Sequence, residues 1–193
     1  MNSQRLTDAA IRLGVIEEDS RELYEFAFSN LLFSVLTWGI LILIGIVAEQ
    51  VIGCIIFMAF YIPLRVFCGG FHMPSRALCL ITSVGIYSVM FGIFATGAAE
   101  TLVFKLCVTG SIPVIAFMAP VESLNKPLYP QEVKRNKKIS VYLLSAALFG
   151  LAALKAMNLN ELLYFASFAL VTLSILMFIG ATINFKKRPR GDV

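Results

Sequence analysis

Charge is scarce in this chain: Asp, Glu, Lys and Arg make up 15% of its 193 residues, while 59% are hydrophobic. A soluble domain carries about 25% charged residues and roughly 45–50% apolar ones even with glycine counted, so polar side chains are too few here to cover a globule in water. That excludes a soluble enzyme, a disordered tail and a disulfide-stapled secreted module, and a mean hydropathy of +0.83 agrees. Histidine is nearly absent, with His72 the single example. The four cysteines, Cys54, Cys68, Cys79 and Cys107, form no CxxC pair and lie in or beside apolar runs, so a disulfide framework is not expected. Residues 1–25 contain no apolar stretch of the kind a signal peptide needs, so insertion is expected to depend on the first spanning helix. The formal charge of +4 is not arranged as a basic stripe interleaved with aromatics, and no nucleic-acid partner is expected.

Long hydrophobic runs take the place of those missing features. A spanning helix needs about 20 mostly apolar residues, because the hydrocarbon core is about 30 Å thick and a helix rises 1.5 Å per residue. Such runs occur at Ala27–Ala48, Val51–Phe67, Leu78–Thr96, Leu102–Ala119, Val141–Met157 and Leu162–Ile183. The chain therefore reads as an all-α, polytopic integral membrane protein of about six transmembrane helices, folded as a single membrane domain over residues 1–193. Lys and Arg cluster in the N-terminal tail, in the 65–76 and 120–139 connections and at Lys186, Lys187, Arg188 and Arg190, leaving only Lys105 and Lys155 for the opposite side. By the positive-inside rule both termini are expected to be cytoplasmic, in a multi-pass protein of the cell membrane. Leu6, Ala9, Ala10 and Leu13 recur at helical spacing, which predicts a short amphipathic helix within the cytoplasmic segment 1–25, and Asp19 is placed to cap the helix that follows. Spanning helices fill 26–185, and 186–193 form a basic tail.

The most unusual stretch runs from Pro63 to Cys79 and holds Arg65, Cys68, Gly69, Gly70, His72, Pro74 and Cys79. Ionisable groups at the edge of a span are expensive, which makes Arg65 and His72 functional candidates, against the plainer reading of a snorkelling Arg and an interfacial His. On one unbroken helix His72 and Cys79 would stand roughly 10 Å apart along the axis, beyond the reach of about 3 Å that a base and nucleophile need. Gly69 and Gly70 allow unusual backbone, and Pro74 disfavours helix before it while suiting the first turn of a new one. A turn or re-entrant segment over 68–73 is therefore predicted, with a fresh helix from Pro74 or Ser75 that carries Cys79 about one turn in. Imidazole beside thiol is the usual way to activate a Cys nucleophile, with His72 taking the proton and later delivering it to a leaving amine. Arg65 could orient a substrate carboxylate or stabilise an oxyanion. Cys68 is a rival nucleophile. With one His and no nearby carboxylate the ligand count falls short of a zinc site, so neither a metal nor another cofactor is expected.

A second stretch, Ala119 to Lys138, contains three prolines and then a basic run, and reads as an irregular cytoplasmic loop. Its charges at Lys126, Lys134, Arg135, Lys137 and Lys138 suit anionic headgroups or an acidic peptide, although a positive-inside anchor accounts for them equally.

Arg65, Gly69-Gly70, His72 and Cys79, together with Ala-Pro-Val-Glu and Asn-Lys-Pro-Leu at 119–128, resemble the accessory gene regulator B family of bacterial membrane peptidases. The resemblance implies a membrane cysteine endopeptidase that removes the C-terminal segment of a quorum-sensing precursor peptide and helps close the remainder into a thiolactone. It implies His72 and Cys79 as the catalytic pair, Arg65, Gly69 and Gly70 as supporting residues, and a homodimer as the assembly. Two other classes compete: a small peptide or lipid transporter with His72 lining its path, and a non-catalytic accessory subunit. Loss of cleavage on replacing Cys79 separates the peptidase from both.

Overall fold

The computed structural model describes residues 3–71, 75–97, 101–121 and 130–187. The elements are helices: α1 Ser3–Arg12, α2 Arg21–Val47, α3 Val51–Cys68, α4 Arg76–Ala95, α5 Leu102–Met118, α6 Pro130–Ala156 and α7 Asn160–Lys187, with a 3-10 turn at Glu18–Ser20 before α2. Among the described residues there is no strand, and an isolated parallel bridge pairs Gly69 with Val121. Five helical stretches there are long and apolar enough to cross a bilayer, namely Glu18–Val47, Val51–Cys68, Arg76–Ala95, Gln131–Ala156 and Asn160–Ile183. This is an all-α, multi-pass membrane protein. Of the six expected spans, the fourth corresponds to α5, an apolar helix of 17 residues that is shorter than the other five.

The chain divides into two compact units, residues 1–44 and 45–193. In the first, the expected amphipathic helix forms as α1. Asp19 does not cap α2 with its side chain; it sits within the 3-10 turn, and the entry to α2 is tied instead by Arg21, whose guanidinium meets Asp8 and Glu18 at 2.7 Å each.

In the second unit α7 is the central helix. It packs against α3, α4, α5 and α6, and 67% of its apolar stretch is buried, against 28% or less for the spanning stretches of α3, α4 and α6. Tyr164 to Leu170 are buried without interruption, and Thr172, Leu173, Ser174 and Met177 follow, so α7 is enclosed on all sides along this stretch and not on a single face. Hydrophobic transfer does not drive helices together inside lipid, and close packing of small and interlocking side chains takes over that role, as Ala166 and Ala169 allow here. Ile81, Leu106, Phe149 and Phe178 are exposed, the apolar outer surface that a bilayer would cover.

Two packing centres result. Leu64, Cys68, Ile115, Ala119, Val121, Leu144, Ala147, Leu170, Leu173 and Met177 form a core between α3, α5, α6 and α7. Nearer the start of α7, Tyr164, Phe165 and Phe168 meet Phe57, Phe91, Phe94 and Phe104 in a ring cluster, and the Tyr164 hydroxyl donates to the Met90 carbonyl of α4 at 2.6 Å.

One sequence expectation is corrected by α6. The irregular loop expected through Lys138 gives way at Pro130, where helix begins, because a proline in the first turn lacks only an amide that would have had no intrahelical partner. The basic residues from Lys134 to Lys138 therefore stand on a helix. Met1, Asn2, residues 72–74, 98–100, 122–129 and 188–193 lie outside the described residues, and with them His72, Pro74 and Lys126.

Candidate active site

The break expected after α3 is present. α3 stops at Cys68 and α4 starts at Arg76, capped by Ser75, whose hydroxyl accepts from the Leu78 amide at 3.2 Å. Cys79 then sits in the first turn of α4, its amide donating to the Ser75 carbonyl at 3.1 Å. The thiol residue is exposed, whereas Cys68 is fully buried. Burial removes Cys68 from contact with a substrate and leaves Cys79 as the accessible thiol of this stretch. Side chains on a helix tilt toward its N-terminus, so the Cys79 sulfur projects toward the electropositive start of α4.

Gly69 and Gly70 turn the chain away from α3. Gly69 has φ 72° and ψ −147°, a region essentially confined to glycine, and Gly70 has φ 119°. A β-carbon on Gly69 would also collide with the Val121 carbonyl oxygen. The turn is stitched to two distant elements. The Val121 amide donates to the Cys68 carbonyl at 2.8 Å, the Gly70 amide donates to the Val121 carbonyl at 3.4 Å, and the Phe71 amide donates to the Leu176 carbonyl of α7 at 2.9 Å.

Arg65, half-buried on the last turn of α3, completes the arrangement. One guanidinium nitrogen donates to the Gly69 carbonyl at 2.6 Å and the other to the Phe71 carbonyl. A planar fork of donors can reach both at once, which a lysine ammonium cannot do with the same geometry. The sequence leaves open whether this cation orients a substrate carboxylate or stabilises an oxyanion; the geometry engages it instead with the carbonyls of the loop.

The basic patch divides in the same manner. Lys137 reaches the end of α5 and donates to the carbonyls of Ala116 at 2.6 Å and Phe117 at 3.3 Å, satisfying acceptors that a helix C-terminus leaves open. Lys134, Arg135 and Lys138 are exposed on α6, with the Lys138 ammonium 5.9 Å from the Tyr142 ring centre. Among the described residues no group of three or more His, Cys, Asp or Glu gathers as a metal site would require.

Four residues at the site were not singled out from the sequence. Val121 lies within the Ala-Pro-Val-Glu stretch, but it and Leu176 act through backbone groups, which carry no residue signature of their own. Tyr61, half-buried and stacked on Phe57 with ring centres 5.3 Å apart, lies within electrostatic range of both Arg65 and Cys79. Gly180 lies beside Phe71; a lone glycine inside an apolar helical run was the available signal for close backbone approach.

Fold and site together define a class: a multi-pass helical membrane protein in which a glycine break, braced by an arginine, precedes a helix with an accessible cysteine in its first turn. Within that class the chain belongs to the Accessory gene regulator B family, whose model matches residues 3–183. It is 27% identical over 138 residues, 70% of this chain and 68% of the relative, to the "Putative AgrB-like protein" of Lactiplantibacillus plantarum. No solved structure matches it. Family membership places the protein in the accessory gene regulator system, with a role in peptide processing.

Proposed function

We propose that the protein is a membrane-embedded cysteine endopeptidase that cleaves the C-terminal segment from a quorum-sensing precursor peptide and promotes closure of the remainder into a thiolactone. The observation that carries this reading is the position of Cys79: accessible, in the first turn of a new helix, directly after a loop held at Gly69, Gly70 and Phe71 by Arg65, Val121 and Leu176. His72 follows that loop in the chain and supplies the base.

In the reaction His72 accepts the Cys79 proton and the thiolate attacks the scissile carbonyl carbon. Negative charge on the carbonyl oxygen is met by the positive end of α4. The tetrahedral intermediate collapses with breakage of the C–N bond, His72 returns the proton to the departing amine, and the peptide is left as a thioester on Cys79. A cysteine thiolate within the bound peptide then attacks the thioester carbonyl. Its C–S bond forms, the bond to Cys79 breaks, and Cys79 leaves as thiolate to be protonated again. Partial exclusion of water at the membrane edge favours this exchange over hydrolysis.

The precursor peptide is the partner this chemistry requires, and an acidic segment of it is complementary to Lys134, Arg135 and Lys138, with Lys126 earlier in the chain. Membrane lipid surrounds the spans. A homodimer in the cell membrane with both termini cytoplasmic completes the proposal.

The direct test is Cys79→Ala or Cys79→Ser in vesicles supplied with the precursor peptide. A peptidase loses cleavage by at least about 10³-fold, and the mass-spectrometric acyl adduct on Cys79 disappears with it. Unchanged cleavage by Cys79→Ala would overturn the reading. A transporter or accessory subunit would keep its function in the same variant.

A further inference from the structure

We infer that Gly180 on α7 is a positioning residue for the active site, forming with the Leu176 carbonyl the seat on which the residue preceding His72 is held. This rests on the peptidase reading above. Gly180 is 101 positions from Cys79 in the sequence and carries no side chain, so it takes no part in the chemistry.

A β-carbon at Gly180 would lie 2.7 Å from the Phe71 amide nitrogen, 2.9 Å from the Gly70 carbonyl carbon and 3.2 Å from the Phe71 α-carbon. All three are backbone atoms, and no rotamer change relieves such contacts. Ordinary contact begins near 3.4 Å, so the loop would have to retreat from α7 by several tenths of an ångström. Its other side gives no room, because Gly70 is bonded to Val121 and the Gly69 and Phe71 carbonyls are bonded to Arg65. The Phe71 amide would also be drawn from the Leu176 carbonyl that it meets at 2.9 Å. Phe71 is bonded directly to His72, so the point from which the chain continues into His72 moves when Phe71 moves. The glycine at 180 is thus what lets α7 approach the loop closely enough to accept its amide.

Other glycines supply the control. Gly92 on α4 has nothing within 4 Å of where its β-carbon would be, so Gly92→Ala is accommodated.

The test uses the full chain in phosphatidylglycerol–phosphatidylethanolamine vesicles, with Cys107→Ser as the background so that Cys79 is the accessible thiol, Cys54 and Cys68 being buried. The rate of alkylation of Cys79 by iodoacetamide is followed against pH in the background chain and in His72→Ala, Gly180→Ala and Gly92→Ala, alongside kcat and KM for precursor cleavage. Gly180→Ala is expected to move the pH profile toward that of His72→Ala and to lower kcat by about 10- to 100-fold with KM little changed, the scale of loss that sub-ångström to ångström misplacement produces. Gly92→Ala is expected to overlay the background. A Gly180→Ala profile that overlays the background, while His72→Ala departs from it, overturns the role of Gly180 and leaves the peptidase reading standing. A background profile identical to that of His72→Ala overturns the peptidase reading itself. If Gly180→Ala does not fold, amide exchange in the unmodified protein decides: slow exchange at Phe71 supports the seat on Leu176, and exchange as fast as that of a free amide overturns it.

Discussion

Among the described residues, two kinds of connection between helices can be compared, and the contrast shows how this chain divides its information. The α2–α3 and α6–α7 turns close on themselves. Glu49 and Asn158 take left-handed backbone, with φ 56° and 57°, and the following amides of Gln50 and Leu159 reach back to the carbonyls of Gly45 and Leu154 at 2.8 and 3.0 Å. Each is a Schellman ending, completed within six residues and indifferent to the rest of the fold. The connection after α3 closes on others. Its bonds run to Val121 and Leu176, more than 50 and 100 residues away, and to the Arg65 fork. Self-closing turns serve where two helices need only be joined, whereas a turn that must present a reacting group is held from several directions at once.

That difference orders the expected effects of substitution. The largest falls on Gly69→Ala, which meets both the backbone region it would have to occupy, about 1–3 kcal/mol of strain, and the collision with the Val121 carbonyl. Cleavage should fall by at least about 100-fold, with the bridge to Val121 lost as faster amide exchange at Val121. Arg65→Lys comes next: a single ammonium cannot hold both carbonyls in the geometry of the fork, and a roughly 10- to 100-fold lower kcat is expected with charge conserved. If Arg65→Lys retained full kcat, positive charge and not the brace would be what this position supplies.

Smaller effects separate the lysines. Lys137→Gln uncaps α5 and should lower thermal stability by about 1 kcal/mol, while affinity for the precursor changes little. Joint replacement of Lys134, Arg135 and Lys138 by Gln should do the reverse, weakening binding of an acidic peptide most at low salt and leaving thermal stability nearly constant. Equal loss of affinity in both variants would merge what the structure separates. The smallest effect belongs to a self-closing turn. Glu49→Gly relieves left-handed backbone at a non-glycine residue and should stabilise by up to about 1 kcal/mol in thermal unfolding, with cleavage unchanged.

The same division explains what could be read from the sequence. Spans were legible because lipid demands long apolar runs, and the break after Cys68 was legible because Gly69, Gly70 and Pro74 restrict backbone locally. The start of α6 is not legible because proline both ends loops and begins helices, and Pro130 does the second. What Arg65 and Lys137 hold could not be read, since their acceptors are carbonyls that every residue possesses. Asp19 looked like a cap by type and spacing, yet Arg21 competes for the same turn through Asp8 and Glu18. Gly180 was visible only as one small residue among many in an apolar run; its meaning lies in a neighbour more than 100 positions earlier.

The buried bond from Tyr164 to Met90 gives α4 the proportions of a lever. Tyr87, Met90, Phe91 and Phe94 fasten one end of that helix into the ring cluster, and residues 76–79 at the other end are exposed. Eleven residues separate the fulcrum from the sulfur-bearing tip, about 16 Å at 1.5 Å per residue, so a tilt of about 10° displaces the tip by about 3 Å. A small change in the angle of α4 thus spans the whole reach of a hydrogen bond at the sulfur.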